Sequence, residues 1–218
     1  MTNFSTDADL LKWEPALMRE IVLDHQCLAE GTGAATEGTT VTAADGRFVS
    51  GRVRPGHVIH LAADDGSVDG YYEITAVAGE TELSATCLGL ADDPVPLPSA
   101  TGLAYRIQTF DPQHEEARYT LLARFGLEAD AADPSADLAG WLAQDRALRR
   151  ASVALVLATL YRGQAAGGAD SSALAAKADH YARLYEAEVA KVRLVLDRDA
   201  DGRADDVRSL ASHRLRRV

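Results

Sequence analysis

Near its end the chain reads Asp197-x-Asp199-x-Asp201-Gly202, with carboxylates at alternate positions ahead of a glycine. That pattern opens an EF-hand calcium loop, in which alternating oxygens and a sharp turn wrap a hard cation. The second half departs from it. Position twelve, where a bidentate Glu belongs, is Arg208, and position eight is Ala204 in place of a branched apolar residue. Asp205 or Asp206 can still complete an irregular site, while a solvated acidic turn with Asp side chains bonded to local backbone accounts for the same residues without an ion. No metal is expected on this reading, and any calcium would fall to Asp197, Asp199, Asp201 and Asp205.

Other chemistry-bearing residues are scattered. His57 and His60 stand three apart in a strand-like segment, which sends them to opposite faces and predicts a surface pair, not a chelate. His25, His114 and His180 have no carboxylate or cysteine at ligand spacing and read as ordinary polar histidines. Cys27 and Cys87 lack C-x-x-C spacing and are expected as buried thiols, with a disulfide or a metal pair as alternatives. Glu115 and Glu116 suit the positive end of a helix dipole. Nucleophile-elbow, zinc-protease, Walker and dinucleotide signatures are all missing, so no catalytic residue, enzyme activity or cofactor is predicted.

The elements that must carry these residues follow from periodicity. Leu174, Ala178, Tyr181, Tyr185, Val189, Val192 and Leu196 recur at intervals of three and four, predicting a helix from Ser171 to Leu196 packed on one side. Before it, Leu138, Trp141, Leu142, Leu148, Leu155, Val156 and Leu160 mark a longer helix that is apolar nearly all round from Ala151 to Leu160 and ends at Gly163 to Gly168. Asp111-Pro112 caps another, with Ala117, Leu121, Leu122 and Phe125 as its buried face and Gly126 closing it. At the N-terminus, Thr6-x-x-Asp9 reads as a cap, with a break near Trp13 and a restart at Pro15.

Between these helical stretches the texture changes. From Gly31 to about Ile107 runs of period-two alternation, such as Val58 to Leu61 and Tyr72 to Val77, are separated by Asp45-Gly46, Pro55-Gly56, Asp65-Gly66 and Asp69-Gly70. So many short strands can bury a shared face only by curling into a small antiparallel barrel or tight sandwich. The fold class predicted is α+β: a small helical bundle (1–30 and 110–196), an inserted β-rich module (31–109), and an Asp-rich turn with a basic tail (197–218).

The formal net charge of -11 over 218 residues argues against a whole-protein nucleic-acid binder, because such affinity needs basic surface that neutralises phosphates. No stretch reaches membrane-spanning length, and the polar start lacks the basic and apolar run of a signal peptide, so an intracellular site of synthesis is expected. Against the acidic body, Arg208, His213, Arg214, Arg216 and Arg217 form a tail without an acidic residue.

The order of elements resembles a family. Ser5 to Pro15, the β insertion with Val53-Arg54-Pro55-Gly56-His57-Val58-Ile59, and Leu196 to Gly202 ahead of an Arg-rich tail are similar to head-to-tail connector (adaptor or neck) proteins of tailed bacteriophages and phage-like particles. The inserted barrel is a departure, since smaller members are helical throughout. The resemblance implies a structural virion protein at the head–tail junction, assembled in the host cytoplasm. It would form a homo-oligomeric ring, a dodecamer, between the portal protein and a downstream neck or tail protein. DNA would pass through without sequence-specific binding. Docking into the portal would use Arg208, Ser209, Leu210, His213, Arg214, Leu215, Arg216, Arg217 and Val218. The alternative is a calcium-stabilised module that binds a ligand or polymer through the barrel.

Overall fold

The computed structural model describes residues 3–127, 146–167, 171–196 and 206–210. Thr6 opens the first helix as its sequence predicts: its hydroxyl accepts the Asp9 N–H at 3.3 Å while the Asp9 carboxylate accepts the Thr6 N–H at 3.2 Å. This helix, α1, spans Asp7–Trp13, and α2 spans Leu17–Glu20. Pro15 lies in the turn between them, so the restart comes slightly later than expected, after Ala16.

Six strands follow: β1 (Cys27–Glu37), β2 (Thr40–Thr42), β3 (Val58–Ala62), β4 (Asp69–Val77), β5 (Glu82–Cys87) and β6 (Ala100–Gln108). They close an antiparallel barrel in the order β1-β2-β5-β4-β3-β6, which decides between the two β architectures left open above. Strand β1 makes closure possible because it serves two neighbours. Its start pairs with β6 (Cys27 opposite Gln108) and its end with β2 (Glu37 opposite Thr40), and three register shifts along it supply the bend. Inward-facing positions fill the lumen, among them Val41, Phe48, Ile59, Leu61, Ile74, Leu83, Leu103 and Ile107.

The chain divides into two compact units, Thr6–Asp111 and Met1–Ser5 with Pro112–Val218. This differs from the expected boundaries, which grouped residues 1–30 with the helices. Backbone polar groups give the reason. The Ala8 N–H donates to Gly56 O at 3.1 Å, Gln108 Nε2 donates to Ile21 O at 2.9 Å, and the Phe110 N–H donates to Asp7 Oδ1 at 2.9 Å. Together these bonds fasten α1 and the segment after α2 to the barrel.

In the other unit α3 (Asp111–Arg124) buries Ala117, Leu121 and Leu122 and stops at Gly126, whose φ of +69° lets the Leu127 N–H return to Leu122 O at 3.0 Å. Helix α4 (Arg146–Gly167) buries nearly all of its middle, from Ala151 to Tyr161. It ends at Gly167, within the Gly163 to Gly168 stretch expected to end it; Leu138, Trp141 and Leu142 lie outside the described residues. Helix α5 (Ser171–Val189) packs on α4, with Tyr161 and Tyr181 stacked at 5.9 Å between ring centroids. It stops short of Leu196, because Arg193–Leu196 is a strand, β7, paired with β8 (Asp206–Ser209). No helix among the described residues is long and apolar enough to cross a membrane.

Gly163 tests how far α4 extends into its glycine-bearing end. It is exposed, and a Cβ added there meets nothing within 4 Å. Gly163→Ala is expected to stabilise the helix by about 0.5–1 kcal/mol, read as a higher urea midpoint at unchanged slope. A lower midpoint would mean that residue 163 does not sit in helical backbone.

Candidate functional site

Of the residues predicted to dock a partner, Arg208 and Ser209 lie in β8 and Leu210 follows it directly. His213, Arg214, Leu215, Arg216, Arg217 and Val218 lie outside the described residues, as do Asp197, Asp199, Asp201 and Asp205. The hairpin that carries Arg208 has a regular register, Arg193 opposite Ser209, Leu194 opposite Arg208 and Leu196 opposite Asp206. Among the described residues neither strand has a second strand beside it.

Arg208 is engaged within its own unit. Its Nη1 donates to Phe125 O and Gly126 O, each at 2.7 Å. Those carbonyls close α3, where a helix leaves acceptors unmatched and its dipole favours positive charge. Both of these acceptors are backbone carbonyls, which no reading of charged residues reveals.

Ion pairs tie the start of α4 and the end of α5 together around a buried carboxylate. Glu188, 3 % exposed in its side chain, accepts from Arg150 through two bonds of 3.1 Å and from Lys191 at 2.8 Å. Burial alone would raise its carboxyl, but the bonds from Lys191 and Arg150 outweigh that and lower it. On the neighbouring turn Arg124 grips Glu186 and lies 5.2 Å from the centre of the Tyr185 ring.

Two histidines take part in arrangements the sequence did not signal. His57 is buried, not a surface residue, and its Nε2 lies at hydrogen-bond distance, 2.9 Å, from Asp111 Oδ2 while the Arg54 N–H points to its Nδ1 at 3.3 Å. Arg54 adds an ion pair to the same Asp111 oxygen at 2.6 Å. A carboxylate orienting an imidazole is half of a nucleophile-activating system. Here the second ring nitrogen is engaged by the Arg54 backbone N–H, so the imidazole is held from both sides. Similarly, Ser5 Oγ lies 2.8 Å from both His114 Nδ1 and Ser152 Oγ, a separation that suits a nucleophile and base. All three side chains are buried, which closes these atoms to substrate.

Cys27 and Cys87 are free and half-buried, not fully buried as expected. Burial is the main cause that pushes the Cys27 thiol up, which disfavours the reactive thiolate. Among the described residues no three His, Cys, Asp or Glu side chains gather at metal-ligating range. Compared with protein-family models, curated proteins and solved structures, the chain matches none.

Asp111 gives this geometry a pH signature. Burial would raise its carboxyl, yet hydrogen bonds from His57 and Arg54 hold it well below the usual carboxylate range. Its contribution to stability is therefore complete above the unfolded Asp value of about 4 and fades as pH falls toward the depressed folded value. Asp111→Asn is expected to cost about 1–2 kcal/mol at neutral pH, with the gap to wild type narrowing as pH falls below about 4. Urea titrations across that range check this, and a gap that stays constant in acid would refute it.

Proposed function

We propose that the protein is a ring-forming head–tail connector of a tailed phage or phage-like particle, with the helical unit as a bundle that hosts the barrel as its insertion. The supporting observation is the C-terminal hairpin. Arg208 fastens it to the carbonyls at the end of α3, and the chain leaves it directly into Arg214, Arg216 and Arg217. A hairpin fixed at its base, with a cationic extension beyond, can add backbone pairing along the outer edge of β7 while its arginines meet acidic groups of a partner. The acidic balance of the whole chain suits a channel through which DNA slides without sticking.

The calcium-stabilised module is kept as a second reading by one feature of the same hairpin. Leu196 pairs with Asp206, so the segment with Asp197, Asp199, Asp201 and Asp205 begins and ends at paired positions. Loop ends already held together lower the entropic cost of gathering carboxylates on an ion.

Deleting residues 211–218 while keeping Leu210 separates the two readings. The truncated protein is expected to keep its circular dichroism and urea midpoint but to lose co-purification with the portal of its particle. Attachment at the full-length level would overturn the docking role. A chelator-sensitive thermal midpoint in the full-length chain, with no portal binding, would instead favour the calcium module.

A further inference from the structure

Three of the four large apolar side chains exposed among the described residues, Val22, Leu90 and Val95, belong to two patches on the barrel unit. The first patch is a cleft of about 370 Å³ whose lining includes Met18, Arg19, Val22, His60, Tyr71 and Arg106. His60 is stacked on Tyr71 at 4.6 Å between ring centroids, and the Arg19 guanidinium stands 5.8 Å from the centre of the same Tyr ring. Two guanidiniums and an imidazole line this space without a carboxylate. Asp69, which pairs with Arg19 and His60, and Asp24 and Glu30, which pair with Arg106, stand outside the lining.

The second patch is the connection between β5 and β6, which reads Leu90-Ala91-Asp92-Asp93-Pro94-Val95-Pro96. Leu90 and Val95 are about two-fifths exposed, at 40 % and 41 %, and flank two exposed aspartates. The segment is held open by its own contacts. Thr86 Oγ1 accepts the Val95 N–H at 2.7 Å and donates to Val95 O at 3.1 Å, the Leu97 N–H donates to Gly38 O at 2.7 Å, and Thr36 Oγ1 donates to Pro98 O. Prolines at 94, 96 and 98 fix φ as well, so little freedom is left to lose on binding.

Barrel order separates the two patches. The cleft centres on β3, through His60, with Tyr71 on β4 and Arg106 on β6 at its sides. The loop is fastened to Thr36 on β1, Gly38 before β2 and Thr86 on β5. In a closed order of β1-β2-β5-β4-β3-β6, β2 stands across the barrel from β3. A patch on one wall and its complement on the opposite wall cannot satisfy each other within one copy, but they match in a head-to-tail series, the kind of contact that closes as a ring when its rotation returns to the first copy.

We propose that the 90–96 loop of one copy seats in the Val22–Tyr71 cleft of the next copy. The aromatic wall takes the proline-containing extended segment, Val22 and Met18 cover Leu90 and Val95, and Asp92 and Asp93 meet Arg19 and Arg106. This rests on the ring reading above and names the surface through which the ring would be built.

The test is a disulfide trap in the full chain. In a Cys27→Ser, Cys87→Ser background, oxidising the Val22→Cys, Val95→Cys double variant at high concentration is expected to give a ladder of dimers, trimers and larger species. Either single-cysteine variant should stop at dimer. A double variant with native circular dichroism and no ladder overturns the proposal. If light scattering of the unmodified chain still shows oligomers, the seat alone is wrong and the ring reading survives. A ladder that forms while the 211–218 truncation still joins the portal supports the seat and removes tail docking.

Charge reversal gives a second route that needs no cysteine. Arg19→Glu and the Asp92→Lys, Asp93→Lys pair are each expected to weaken self-association about tenfold, and their combination to recover most of the loss. Losses that simply accumulate overturn the contact.

Discussion

Everything in the barrel unit depends on pinning the two places where its chain enters and leaves. The barrel closes by pairing its first strand, β1, with its last, β6, so both chain ends sit where these two meet. One turn, Arg54-Pro55-Gly56-His57, holds both. Gly56 O accepts the Ala8 N–H on the way in, and Arg54 and His57 bind Asp111 on the way out. Asp7 then ties entry to exit through the Phe110 N–H. Gly56 is required at this point: its φ is +89°, and a Cβ would lie 2.7 Å from Thr6 Cγ2. Sequence-distant polar groups thus fix the register with which the strands begin and end.

Much of the local structure is written in short signals. Thr6-x-x-Asp9, Asp111-Pro112 and the Gly126 stop each work through groups a few residues apart, so the sequence shows both partners at once. What it cannot show is which alternative wins when two elements share a pattern. Val189, Val192 and Leu196 continue the helical spacing of α5, yet Arg193 to Leu196 form a strand because β8 supplies backbone partners. Within the Gly163 to Gly168 stretch, the sequence likewise does not say that the helix continues past Gly163 before it ends at Gly167. A glycine inside a helix costs about 1 kcal/mol, which the burial of α4 from Ala151 to Tyr161 easily offsets. Membership of α1 in the barrel unit is likewise set by long-range bonds, and no property of residues 6–30 announces them.

Histidine shows the same limit at the level of chemistry. Spacing correctly separates His57 from His60, with one buried against Asp111 and the other half-exposed beside Asp69. It cannot say that His57 is enclosed, because its carboxylate lies 54 positions away. Nor does it say that a backbone N–H, that of Arg54, sits on the other ring nitrogen, Nδ1. Without that bond the Asp–His pair would look like acid–base machinery; with it, the pair is a clasp.

Arg208 shows why counting carboxylates misjudges a basic tail. A guanidinium offers five N–H donors, and acceptors of any kind can use them. The last turn of α3 presents carbonyls without helical partners at the negative end of its dipole, and Arg208 reaches two of them from a strand more than eighty residues later. The cation thereby fastens β8 to the end of α3. Partner recognition would then pass to residues beyond the hairpin, where Arg214, Arg216 and Arg217 follow, and to the outer edge of β7. If the following segment is ordered against a partner, anchoring one arginine in this way would reduce the freedom to be lost, so the same guanidinium would contribute to binding without touching what is bound.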